Sequence, residues 1–220
     1  MRRIIACRSI KPELEQLVQP EAPFHIRYLP QNLHRFPHKL KEFLQKAIDQ
    51  TESSYEQVVL GYGLCSNGIV GVKAPDQGLY IPHVHDCIAL YLGSRQAYQK
   101  IFHQHPGTYH LTPSWINNHT DPLGLVENEY TQRVGAEMAE ETMRTEIRNY
   151  SHISFVNTNA PNSEKYRRRA RENARYFNKK FIEYQGSEAF FRKILYGPYQ
   201  NPDFIYIQPG NIVKQKDFLK

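Results

Sequence analysis

Short apolar runs alternate with amphipathic stretches along most of this chain, and the alternation predicts its elements. Arg3 to Ala6 is a β-branched run with Cys7 directly after it. A helix is expected from about Pro12, since proline suits a first turn, with Leu14, Leu17 and Val18 facing inward. Phe24 to Leu29 alternates apolar and polar positions as a half-exposed strand does. From Pro37 to Gln50, Leu40, Phe43, Leu44, Ala47 and Ile48 mark one helical face. Gln57 to Leu60 reads as a buried strand running into the turn GYGLCSNG, and Leu79 to Ile81 as another strand, ending at Pro82.

Asp86 is placed to cap a short helix that opens on Cys87, and Ser94 a second helix carrying Ala97, Tyr98, Ile101 and Phe102. Thr108 to Leu111 is a further strand. Residues 112–128, rich in Pro, Asn and Gly, read as a long loop around Trp115. A polar helix is expected from about Tyr130 to Arg148, a strand from His152 to Val156, and a long helix from Ser163 to Tyr184. The stripe of that last helix is Tyr166, Ala170, Ala174, Phe177, Phe181 and Tyr184. Phe204 to Ile207 closes the series. Strands separated by helices predict an α/β fold: a mainly parallel, Rossmann-like sheet with helices on both faces and a helix-rich C-terminal part. One domain over 1–220 is expected, with 130–200 as a helical lobe or the second half of the same sheet.

Composition narrows the class. Hydrophobic residues are 40% of the 220 and aromatics 12%, which excludes global disorder. Three cysteines do not make a secreted disulfide framework. No apolar run approaches the roughly 18 residues of a membrane span, and the first apolar stretch is shorter than a signal peptide requires. The expectation is a cytoplasmic protein without a membrane partner. Its net charge is +6, and residues 164–180 alone, with eight Lys or Arg against two Glu, carry +6. The remainder is balanced. The charge therefore describes one helical surface, suited to an acidic protein partner at 163–180, and does not argue for nucleic acid.

The cysteines carry the sharpest chemistry. Cys7, Cys65 and Cys87 are 58 and 22 residues apart, yet each follows a predicted strand. In an open parallel sheet, ligands bind at the carboxyl ends of the strands. All three thiols are thus expected on one edge, as a metal site requires. Cys87, at a helix N-terminus, is expected to have its thiol pKa lowered by the helix dipole. It lies in PHVHDC, where His85 supplies a nitrogen two residues before it, with Asp86 between them as cap or as orienting carboxylate. Thiolates with imidazole suit zinc, and thiolates alone suit a [4Fe–4S] cluster.

Gly61, Gly63 and Gly68 allow tight turns around Cys65, Ser66 and Asn67, but the segment is neither G-x-G-x-x-G nor a P-loop. Gly61, Gly63, Ser66 and Asn67 are candidate ligand contacts, and Trp115, with His119, a candidate wall or lid.

The pieces IIAC, LGYGLCSNGIVG, IPHVHDCIALYLGS and GTYHLTPSW resemble the prokaryotic domain of unknown function 1638 family, most strongly over residues 4–115. The resemblance implies that Cys7, Cys65 and Cys87 occupy the family's own cysteine positions. Members often occur near corrinoid methyltransferase systems, and thiol-activating methyltransferases hold zinc with a His-x-Cys and a distant Cys. Two classes of function remain open. One is a metal-dependent enzyme acting on a small-molecule or thiol substrate, either zinc-dependent methyl or alkyl transfer to a thiol or a cluster-dependent lyase or dehydratase. The other is a non-catalytic accessory protein that handles a metal or cofactor for a partner enzyme.

Overall fold

The computed structural model describes residues 1–219. In chain order the elements begin with β1 (Arg2–Cys7), α1 (Lys11–Glu15), β2 (Phe24–Leu29), α2 (Pro37–Asp49), β3 (Gln57–Gly61), β4 (Leu79–Pro82), α3 (Cys87–Tyr91) and α4 (Arg95–Gln104). They continue with β5 (Thr108–Leu111), α5 (Pro113–Asn117), α6 (Pro122–Leu125), α7 (Thr131–Val134), α8 (Ala136–Glu146), β6 (His152–Asn157) and α9 (Ser163–Tyr176). The series ends with β7 (Lys180–Gln185), α10 (Ala189–Tyr196) and β8 (Phe204–Ile207). The chain divides into two units, Met1–Arg95 with Glu188–Lys220, and Gln96–Ser187. Both are built on mainly parallel sheet with helices against it, so the α/β class read from the pattern holds.

The first unit carries a five-stranded sheet in the order β2-β1-β3-β4-β8. β1 pairs in parallel with β2 and β3, β3 with β4, and only β8 runs antiparallel. The alternation of side chains along each strand sends Ile5, Val58 and Leu60 to one face, where Leu40, Leu44, Ala47 and Ile48 of α2 cover them. Ile4 and Val59, equally buried, point the other way, where α10 packs on α1, α3 and β3. Tyr91 of α3 meets Phe191 of α10 edge to face, ring centroids 5.3 Å apart. Both faces are thus covered, as parallel sheets require. Val18 and Phe43, expected inward, are exposed.

The second unit has its own parallel sheet, β5-β6-β7. Residues 130–200 are therefore neither a purely helical lobe nor an extension of the first sheet, because they supply β6 and β7. The expected helix over 163–184 stops at Tyr176. Asn178 takes a left-handed conformation (φ 53°), and Lys180 then donates its N–H to the Ser151 carbonyl at 3.0 Å. Phe181 and Tyr184 sit on opposite faces of β7, so the six-residue stripe was a helical period running by chance into a strand. The expected loop over 112–128 is instead two single-turn helices, α5 and α6. Each has proline in its first turn and a side-chain cap, from Thr112 and from Asp121. A wider turn at Val126–Tyr130 joins α6 to α7. One turn is too short to show periodicity, so the pattern did not expose them.

On this sheet His110 and Ser154 are cross-strand partners, with Nδ1 and Oγ 2.7 Å apart, and the rings of Tyr98 and Tyr184 flank the imidazole. Burial holds the His110 pKa down at about 4, against an ordinary 6.5. Between those values the unfolded chain takes up a proton that the folded one refuses. Stability is therefore expected to fall as pH drops from 6.5 towards 4, by up to about 3 kcal/mol. Urea unfolding across this range, compared with His110→Gln, checks it. An equal acid-side loss in the variant would show that His110 is not the cause.

Candidate functional site: a three-cysteine edge

Cys7 is the last residue of β1, Cys65 follows β3 by four residues, and Cys87 opens α3 just after β4. Since β1, β3 and β4 are neighbours and parallel, their carboxyl ends share one edge. The order β2-β1-β3-β4 reverses direction between β1 and β3, which is where open α/β sheets bind ligands. Cys7 and Cys65 flank that point.

The link from β3 to Cys65 continues the sheet in irregular form. Leu64 and Cys65 donate their N–H groups to the carbonyls of Val84 and His85, each at 2.9 Å. The segment before Cys65 is thereby tied to the one before Cys87. A Cβ on Gly63 would lie 2.7 Å from the Val84 carbonyl oxygen, and one on Gly61 2.7 Å from the Ala6 Cβ. The close approach at both glycines is thus with the chain itself, which presses three strands together.

Cys65, Ser66 and Asn67 follow in succession with φ of 47°, 55° and 65°. Each non-glycine residue in this left-handed region costs about 1–2 kcal/mol. Gly68 closes the turn by donating to the Cys65 carbonyl at 2.9 Å. Strain of this kind persists only where the surroundings over-determine it, and it concentrates at functional sites. Ser66 and Asn67 are exposed at the turn's outer side.

The three thiols are free and electrostatically coupled. Burial raises the Cys7 pKa, although the Ser9 hydroxyl (3.0 Å) and the Ser9 N–H (3.5 Å) both donate to its sulfur. Cys65 and Cys87 keep part of their surface open, but they sit among dense protein. Burial raises both far above the ordinary thiol value; Cys7 and Asp86 add to the shift at Cys65, and Asp86, Cys65 and Cys7 add to it at Cys87. The lowered pKa expected for Cys87 is thus reversed. α3 has only five residues, and its dipole is outweighed by desolvation and by the Asp86 carboxylate. That carboxylate caps α3 as expected, accepting from the Ile88 N–H at 2.9 Å. A backbone N–H faces each of the two sulfurs, that of Gly63 for Cys65 and its own for Cys87.

At the middle of the cluster is a residue that the sequence reading passed over. Tyr62 is 3% exposed; its hydroxyl makes no regular hydrogen bond among the described residues and has the Cys7 thiol as its neighbouring side-chain partner. The thiols of Cys7, Cys65 and Cys87 are its electrostatic neighbours. Ser9 was also passed over. The available signal was positional: a tyrosine between two glycines one step past a strand, and a hydroxyl two residues after a strand-ending cysteine.

His85 contributes its carbonyl to this scaffold, while its side chain is exposed. Trp115 lies in the second unit, edge-on to Tyr109 with centroids 6.2 Å apart, as part of that unit's packing. Among the described residues, no group of three or more His, Cys, Asp or Glu is drawn together tightly enough to hold a metal ion. The basic helix α9 is partly neutralised within its own unit. Arg167 pairs with Glu164 and Glu183, and Arg169 with Asp121, Glu127 and Glu172. Among the described residues, no helix is long and apolar enough to cross a membrane.

A doubly wound α/β unit with a thiol cluster at its switch point is the class that fold and site define. The chain belongs to the family described as "Protein of unknown function (DUF1638)", which matches residues 28–195. The matched span takes in Cys65, His85 and Cys87, and it begins after Cys7. No curated protein and no solved structure matches the chain.

Proposed function

We propose that this protein binds a thiophilic metal centre on Cys7, Cys65 and Cys87 and uses it on a small-molecule or thiol substrate. The observation that carries this reading is the convergence of the thiols. Cys7, Cys65 and Cys87 come from three neighbouring strand ends and lie close enough to interact electrostatically with one another or with buried Tyr62. Burial favours the protonated thiols, so a metal would have to displace their protons on binding. Thiolates of this kind suit zinc or an iron–sulfur cluster, and three of them leave a coordination position open. Zinc, when bound, would acidify a thiol at that position and make it a nucleophile, so thiol methyl or alkyl transfer is the first reaction to test. Exposed His85 is the candidate fourth ligand. A cytoplasmic setting keeps such thiols reduced.

The second reading is a [4Fe–4S] cluster. Three thiolates from separate segments would hold three irons of such a cluster and leave the fourth open to a substrate. The same centre would serve an accessory protein that passes a metal or cofactor to a partner enzyme, with the free basic residues of α9 meeting an acidic surface.

Anaerobic purification followed by metal and acid-labile sulfide analysis separates these forms. One equivalent of zinc in colourless protein is expected for the first, and brown protein with matching iron and sulfide for the second. Protein that holds and takes up neither would defeat both.

A further inference from the structure

The outer layer of the second unit carries two stripes of opposite charge side by side. α8 and α9 lie on the same face of the sheet β5-β6-β7, the face of Tyr109, Leu111, Ile153 and Phe155. The two helices meet at Tyr176, whose hydroxyl donates to Glu140 at 2.6 Å and whose carbonyl accepts from Arg144 at 3.2 Å. On α9, Arg168, Arg171 and Arg175 follow at spacings of three and four, so they line one helical face, and all are exposed. The two acids of this helix do not neutralise them, because Glu164 turns to Arg167 and Glu172 to Arg169. On α8, Glu137 and Glu141 are exposed and four residues apart, again on one face. Among the described residues, none of these three arginines and two glutamates forms a salt bridge. Met138, 53% exposed, adjoins the acids, and Tyr176, 44% exposed, adjoins the arginines.

A nucleic acid or an acidic peptide would match the basic stripe but leave the acidic stripe beside it facing like charge. A second copy of this chain matches both. A two-fold axis standing between α8 and α9 lays the acidic stripe of each protomer on the basic stripe of the other. The contact is isologous, so every pairing in it occurs twice. We propose that the α8–α9 layer is a dimerisation surface, with Glu137 and Glu141 of one protomer facing Arg168, Arg171 and Arg175 of its partner. Met138 and Tyr176 add apolar area along the seam. This surface is independent of the cysteine edge and of any metal there. A face two helices wide and about 20 Å long is near the small end for stable interfaces, and exposed ion pairs are individually weak. The dimer is therefore expected to be weak and sensitive to salt.

Sedimentation velocity on the purified full chain at several concentrations reads this directly. Dimer is expected at low salt, and its dissociation constant should rise at least about tenfold between about 50 mM and about 500 mM salt, as screening shortens the reach of exposed charge. Arg168→Glu with Arg175→Glu sets acid against acid, and Glu137→Lys with Glu141→Lys sets base against base. Each double variant is expected to be monomeric. Mixed in equal amounts, the two should form a heterodimer, because both contacts then join opposite charges. All four positions are exposed, and circular dichroism matching the wild type checks that the fold is intact. Wild-type protein that stays monomeric at every salt concentration overturns the proposal and leaves the basic stripe to an acidic partner of another kind. A dimer that survives both double variants lies on another surface and overturns it equally. A mixture that remains monomeric rules out the two-fold pairing.

Discussion

Serine in place of Cys7, Cys65 or Cys87 is expected to abolish stoichiometric metal retention while leaving the fold intact. Each thiolate comes from a different strand end, so no neighbouring sulfur substitutes for a lost one. Loss of a group that only supports a ligand already costs about 10–100-fold in affinity, and loss of a ligand is expected to exceed that range. The fold should survive for local reasons. Cys65 and Cys87 are partly exposed, and at Cys7 a serine oxygen still accepts from the Ser9 hydroxyl and N–H. Every ligand must also give up its proton, so uptake should weaken as pH falls. Metal and sulfide analysis of the three variants, with circular dichroism as the folding control, decides the matter. Wild-type retention in any of the three would remove that residue from the site.

Asp121→Ala is expected to destabilise the second unit by about 2–3 kcal/mol, the cost of leaving buried hydrogen-bonding groups unpaired, since Arg169 keeps Glu127 and Glu172 as partners. The Asp121 carboxylate is 1% exposed and organises its surroundings through Oδ2. That oxygen accepts from Arg169 Nε at 3.0 Å, Asn173 Nδ2 at 2.7 Å and the Gly124 N–H at 3.2 Å. Asn173, fully buried, uses its Oδ1 to accept from the Leu123 N–H at 2.9 Å. One carboxylate thus caps α6, anchors it to α9 and holds an arginine. The alanine variant would leave the Asn173 amide and the N-terminus of α6 short of partners. Asp121→Asn keeps an acceptor and should cost about half as much. Urea unfolding followed by circular dichroism reads both, and an unchanged midpoint in the alanine variant would show that the network carries little stability. This network also defines part of α9's chemistry, since Arg169, like Arg167, is engaged within its own unit and the other basic residues are left to meet a partner.

Much of the first unit was legible in the chain. The strands at Arg2–Cys7, Phe24–Leu29, Gln57–Gly61 and Leu79–Pro82, and the helix at Pro37–Asp49, are marked by local periodicity, proline placement and glycine stops. The cysteine edge followed from these, because strands joined through helices run parallel and bring their carboxyl ends to one side. Two misreadings in the second unit have a common cause. The end of α9 at Tyr176 is set by pairing of β7 with β6, and α5 and α6 are held by side-chain caps that a periodicity search does not detect.

What the sequence by itself determined is therefore the α/β alternation and the placement of three cysteines at strand ends, since both depend on residues close together in the chain. Only the tertiary structure decided that Tyr62 stands among the thiols, that Ser9 donates to Cys7, and that burial raises the thiol pKa values where a helix dipole alone would have lowered one of them. It also decided that the later strands form a second sheet. Desolvation, cross-strand register and hydrogen bonding depend on which distant segments become neighbours, and no local pattern encodes that.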